Sequence, residues 1–310
     1  MKRIYLNNII KILMFLYILS LYFFTYKENL NLISNALALI LISTIWVNHL
    51  LTRKKLVYNK FLLIYILFII ICLISVFYAI EQNNSIIKTK TLISIFIVMI
   101  SFINYIDSLT KLRCFVHYFI LCGVIASIYI LIDSDFSQIT RFGSQLGNVN
   151  AVGMIIGISA TFCFYFILHE KKYIYLPFFL IMIITILLTG SRKSLLFICM
   201  NIVMIIYLRN KDSLKGKLKF VIISAIILII VFYLIDNVPM FYQIIGKRIE
   251  NMFSFIFGEG TREGSINMRA YMIRIGYELF KDKPLTGYGI DNYRIIFSKV
   301  PGGRETYAHN

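Results

Sequence analysis

The ten residues LLTGSRKSLL (187–196) set two adjacent cations, Arg192 and Lys193, between apolar runs with almost no loop to carry them. Two further arginines stand in similar company. Arg141 precedes FGSQLGNVNAVGMIIG, and Arg269 lies within SINMRAYMIRIGYELFKDK. The closing residues, TYAHN, contain His309. A guanidinium fork donates two parallel hydrogen bonds to phosphate oxygens, so several arginines on one side of a membrane suit a pyrophosphate. A neutral imidazole near pH 7 can take a proton from a hydroxyl. The other histidines, His49, His117 and His169, fall inside apolar runs or near their ends and read as structural. There is no Gly-rich phosphate loop, paired-aspartate motif, HExxH or Cys/His cluster, so neither a metal nor a nucleotide cofactor is expected.

Arg269 is the least ordinary of these residues. The stretch 265–283 reads as an amphipathic helix with Ser265 as N-cap, ended by Pro284 and Gly287. Met268, Met272, Ile275 and Leu279 form its apolar stripe, with Arg274, Glu278 and Lys281 opposite and Arg274–Glu278 spaced as an i,i+4 pair. Arg269 instead faces Met272, Ile273, Gly276 and Phe280, and a cation on such a surface needs an anion or a route to water. Snorkelling to headgroups or capping a carbonyl is the plainer alternative. Asn148 and Asn150 open the apolar run that follows Arg141, where helix capping is the plain reading. Gly153 and Gly157 have the spacing that lets helices approach closely.

The elements that must position these residues are membrane helices. Hydrophobic residues make up 59% of the chain against 15% charged, and the mean hydropathy is +0.79. A soluble domain this apolar could not cover itself with polar surface, so the expected fold is an all-α polytopic integral membrane protein. Nine apolar runs are marked: 4–26, 30–51, 61–80, 86–106, 112–132, 149–168, 173–189, 194–208 and 218–235. In lipid each must be helical, because every backbone polar group needs an internal partner. The first is too long for a signal segment and lacks a cleavage site, so it reads as a retained span. The five cysteines show no pairing or metal-ligand spacing.

Charge then orients the helices. Alternate connections hold fifteen cations, and the opposite short loops hold six. Positive loops stay inside, so the N-terminus is expected in the cytoplasm and everything after residue 235 outside the cytoplasmic membrane. The net charge of +17 belongs to these loops, and no nucleic-acid partner is expected. The chain divides into a transmembrane bundle, 1–236, and an extracytoplasmic region, 237–310. Arg141, Arg192, Arg269 and His309 all fall on the outer side.

Five segments in order, GNVNAVG, LLTGSRKSL, NMRAYM, KPLTGYGIDNY and AHN, resemble the O-antigen ligase and O-antigen polymerase family of bacterial envelopes, over roughly residues 141–310. The resemblance implies a GT-C-like helical bundle of about nine spans with a large outer loop carrying the amphipathic helix. It implies a metal-independent, inverting membrane glycosyltransferase. Arg192 and Arg269, with Arg141, would hold an undecaprenyl-pyrophosphate donor, and His309 would act as base on the acceptor. Asn148, Asn150, Ser191, Tyr288 and Asn310 are candidate substrate contacts. The family continues with further spans, so the chain is expected to be cut short after Asn310.

The expected activity is polymerisation of lipid-linked repeat units into capsule, exopolysaccharide or O-antigen. Abundant Ile, Lys, Asn, Tyr and Phe suggest an AT-rich genome and favour capsule or exopolysaccharide. The alternatives are a ligase that moves a finished glycan to a lipid or wall acceptor, and a flippase. A flippase would place ionisable groups near span midplanes, and these spans are nearly free of charge there. Membrane lipids, a flippase and a chain-length regulator are the expected partners.

Overall fold

The computed structural model describes residues 2–25, 27, 29–137, 140–210, 218, 222, 225, 226, 229, 232–257 and 264–306. All regular structure among them is helical. The chain forms two compact units, Met1–Thr44 with Ser108–Phe253, and Ile45–Asp107 with Ser254–Asn310.

The first unit contains α1 (Lys2–Phe23), the start of α2 (Asn31–Thr52), α5 (Leu109–Asp133), α6 (Val149–His169), α7 (Leu176–Leu188) and α8 (Arg192–Asn210). A π-helical segment, Tyr242–Gly246, then leads into α9 (Lys247–Ile256). The second unit contains the end of α2, α3 (Lys60–Val76), α4 (Gln82–Tyr105), α10 (Gly264–Asp282) and α11 (Tyr293–Ser298).

Five helices, Tyr5–Phe23, Asn31–Thr52, Gln82–Tyr105, Leu109–Asp133 and Val149–His169, are long and apolar enough to cross a membrane. Lys60–Val76 and Tyr173–Leu188 are apolar but shorter. Helix α8 covers the expected eighth run and begins two residues earlier, at Arg192. Of the expected ninth run, half of the residues lie outside the described ones, and those described are helical.

Helix α6 is the hub of the first unit, packed on α5, α7 and α8. Its side chains explain how apolar helices find a unique arrangement. The Ser159 hydroxyl donates to the Phe119 carbonyl of α5 at 2.7 Å and shares a 2.6 Å hydrogen bond with the Tyr22 hydroxyl of α1. One buried serine thus joins three helices, in surroundings where an unmet polar group is costly. Elsewhere hydroxyls turn back onto their own helix, as Thr161 does to the Gly157 carbonyl at 2.9 Å.

In the second unit, the Trp46 indole N–H donates to Ser101 Oγ at 2.9 Å and ties α2 to α4. The Val57 N–H donates to Asn104 Oδ1 at 2.8 Å, which fixes the link before α3. Asn59 and Ser108 cap α3 and α5, their side-chain oxygens accepting from the Leu62 and Lys111 amides.

Ser159→Val removes the joint between three helices at a fully buried position and leaves the Tyr22 hydroxyl without this partner. The expected cost is about 1–3 kcal/mol, read as a lowered unfolding temperature in detergent.

Candidate active site

The α7–α8 turn is the structural centre of the TGSR motif, and it is buried. Thr189 is fully buried and Ser191 nearly so. Gly190 has φ +60°, and a Cβ there would lie 2.8 Å from the Ile244 carbonyl oxygen of the π-helical segment. Only glycine permits both the left-handed turn and that approach. Leu187, Leu195, Ile235 and Ile245 form the apolar cluster beneath it. Ser191 precedes α8, and its Oγ accepts from the Ser194 amide at 3.4 Å and the Ser194 hydroxyl at 2.8 Å. Its oxygen therefore caps the first turn of α8.

Arg141 is fastened to this turn. Its Nε donates to the Thr189 carbonyl at 2.8 Å, and its Nη2 donates to Asn150 Oδ1 at 2.8 Å. The Phe142 amide donates to the Leu188 carbonyl at 3.0 Å, so the chain around Arg141 lies along the end of α7. Asn148 caps α6, its Oδ1 accepting from the Asn150 and Ala151 amides at 3.0 and 3.4 Å. The two asparagines thus divide the work, one capping α6 and the other holding Arg141. The glycines of α6 serve packing. A Cβ on Gly153 would meet Ser194 Oγ at 2.7 Å, and one on Gly157 would meet the Phe197 ring at 3.3 Å.

Arg192 is the first residue of α8, and its Nη1 donates to the Arg248 carbonyl of α9 at 2.6 Å. The turn therefore gathers two guanidinium groups, which donate to the Thr189 and Arg248 carbonyls and to the Asn150 amide oxygen. Helix α8 adds the partial positive charge of its N-terminus at the same place. Lys193 beside it is exposed. Two arginines and a helix N-terminus thus concentrate positive charge on one buried turn.

The second unit holds the other half of the expected residues. Arg269 lies on α10, half-buried, and pairs with no described residue. The helix begins at Gly264, which places Ser265 inside its first turn and not at the cap. Met272 is buried as expected, while Glu278 pairs with Lys281 at 3.4 Å in place of Arg274. The Tyr293 hydroxyl donates to the Met272 carbonyl at 2.7 Å and the Tyr271 hydroxyl to the Pro301 carbonyl at 2.9 Å, holding α10 beside α11. Tyr288 bonds through its hydroxyl to Asp282, which raises its pKa above the ordinary phenol value, and Lys283 lies over its ring at 4.7 Å. His309 and Asn310 lie outside the described residues.

Sequence reasoning missed Asn292, which is fully buried at the start of α11. Its Oδ1 accepts from the Glu81 amide at 2.7 Å, and its Nδ2 donates to Ser85 Oγ at 2.8 Å and to the Ile290 carbonyl at 2.9 Å. The Ile290 amide donates to Ser75 Oγ at 3.1 Å, and the Tyr78 hydroxyl donates to the Thr286 carbonyl at 2.9 Å. Gly289, at φ +86°, lies so close that a Cβ would be 2.7 Å from that of Ala79. The GYGIDN segment is thus a polar latch on the α3–α4 turn. The carbonyls of Thr189 and Arg248 were also missed, because a backbone oxygen carries no residue-type signal.

Residues 177–310 match the O-antigen ligase family. This segment contains four of the five motif stretches on which the sequence resemblance rests, LLTGSRKSL, NMRAYM, KPLTGYGIDNY and AHN. The match contains the TGSR turn, Arg269 and the latch, and begins after Arg141 and GNVNAVG. No curated protein and no solved structure matches the chain.

Two substitutions test the geometry. Gly190→Ala forces both a strained φ and a contact with the Ile244 carbonyl, and is expected to destabilise the protein by about 1–3 kcal/mol in detergent unfolding. Asn292→Ala removes the acceptor of the Glu81 amide and leaves Ser85 Oγ without its buried donor. It is expected to cost about 1–3 kcal/mol and to raise hydrogen exchange at Glu81 and across 284–292.

Proposed function

We propose that this chain is a membrane glycosyltransferase that joins undecaprenyl-pyrophosphate-linked oligosaccharide repeat units into surface polysaccharide. The observation that carries the reading is the buried α7–α8 turn, with Arg141 bonded to the Thr189 carbonyl and Arg192 bonded to the Arg248 carbonyl. It presents fixed positive charge at the N-terminus of α8, inside the segment with the family match.

In this reading the N-terminus is cytoplasmic and the segment after residue 235 is outside. Arg192 and Arg269 bind the donor's pyrophosphate. The glycosidic bond between the anomeric carbon and the pyrophosphate oxygen breaks, and the electron pair leaves with the pyrophosphate. The guanidinium groups stabilise that developing charge without a metal. His309 takes the proton of the acceptor hydroxyl as its oxygen bonds the anomeric carbon from the opposite face, so the centre inverts. Arg141 is the positioning residue, since two of its donors are committed to Thr189 and Asn150.

A ligase that delivers a finished glycan to a lipid or wall acceptor is the second reading, and the description of the matched family favours it. The two differ only in acceptor. A flippase fits less well, because the arginines gather at one helix end and not along a path through the spans.

Deletion of the gene, followed by a size profile of surface glycan, separates these readings. Loss of long chains with single repeat units retained indicates a polymerase. Long lipid-linked chains that fail to reach an acceptor indicate a ligase, and an unchanged profile rejects both. In the complemented strain, Arg192→Ala is expected to reduce transfer about 100-fold or more with membrane insertion intact. Normal chain lengthening in that variant would remove Arg192 from the mechanism.

A further inference from the structure

Helix α10 carries two apolar faces, and only one of them is packed. Met268, Met272, Ile275 and Leu279 lie within a narrow sector, all half-buried or buried, on the side where the Tyr293 hydroxyl bonds the Met272 carbonyl. At 100° per residue a second sector follows, containing Arg269, Ile273, Tyr277 and Phe280. Its three large side chains are 54%, 57% and 60% exposed. The third sector is charged and holds Arg274, Glu278 and Lys281.

The border between the exposed apolar sector and the charged sector is built as an interface. Lys281 Nζ lies 4.4 Å above the Tyr277 ring and 3.4 Å from Glu278 Oε1, so its ammonium stands between the two sectors. Just beyond the helix, Leu285 is 97% exposed, and Lys283 lies over the Tyr288 ring. An aromatic and aliphatic face edged by lysines and an arginine is the pattern of a helix lying in the headgroup region of a bilayer. Cations stand at both ends of this face, Arg269 at one and Lys281 and Lys283 at the other, which matches the anionic headgroups of a bilayer.

We infer that the Arg269, Ile273, Tyr277 and Phe280 face of α10 docks on the lipid bilayer surface. Ile273 and Phe280 enter the acyl boundary, Tyr277 and Lys281 mark the headgroup level, and Arg269 stays at the depth of lipid phosphates. This goes beyond the proposed reaction and does not require it. It supplies a physical reason for a cation to stand on an apolar face.

The test uses the single tryptophan, Trp46. In the full chain carrying Trp46→Phe, either Phe280→Trp or Glu278→Trp provides the only indole. Each protein is reconstituted in vesicles of phosphatidylcholine and phosphatidylglycerol, with and without lipids brominated near the top of the acyl chains. The Phe280→Trp protein is expected to lose about half its emission to brominated lipid and little to aqueous iodide, since an interfacial helix sits roughly 5–10 Å below the headgroups. The Glu278→Trp protein is expected to show the reverse. Iodide quenching at both positions would overturn the inference in favour of a solvated helix. Protection of Phe280→Trp from both quenchers would overturn it in favour of a protein partner, and lipid quenching at both positions would overturn it in favour of an embedded helix.

Discussion

The bond from Arg141 to the Thr189 carbonyl carries the constraint on which the first unit's candidate site depends. A helix that ends inside a protein leaves carbonyls without partners, and at the end of α7 no water replaces them freely. Arg141 answers one of those carbonyls, and the Phe142 amide answers the Leu188 carbonyl. The turn can then be as short as Gly190 and Ser191, which brings Arg192 to the first position of α8. A longer turn would satisfy its own backbone in water and hold Arg192 less firmly.

The same economy appears in the second unit. Asn292 supplies one acceptor and two donor hydrogens within a single buried amide, and the latch uses all three. A half-satisfied version would be worse than an apolar contact, because an unmet group in a low-dielectric interior costs more than a made bond contributes. The tail is thereby fixed to the α3–α4 turn by polar bonds, and α10 follows through Tyr293. Asn148, Asn292 and Ser191 hold the backbone in place in the two units.

Arginine, not lysine, suits the two positions at the α7–α8 turn. Arg141 donates to two acceptors at once through a planar fork, which an ammonium on a flexible stem reproduces poorly. Arg192 bonds a carbonyl on α9. A group that must brace a turn needs several donors in fixed directions.

Much of this protein was legible in its residue order. Apolar runs require helices when no water is present to satisfy the backbone, and their composition alone determined an all-helical membrane chain. The period of Met268, Met272, Ile275 and Leu279 determined which face of α10 packs, since burial follows the helical repeat. Motif residues marked the α7–α8 turn and Arg269 before any geometry was known. The tertiary structure decided what each polar group does. Asn148 became a cap, Asn150 and Thr189 became partners of Arg141, and Asn292 emerged as the latch, a role that its place in the KPLTGYGIDNY segment does not reveal. Glu278 chose Lys281 over Arg274, a choice between two neighbours that spacing leaves nearly equal. The reason is common to all of these. Periodicity reports how a helix meets its solvent, whereas a hydrogen bond between residues far apart in sequence, or to a backbone oxygen, exists only once the helices have packed.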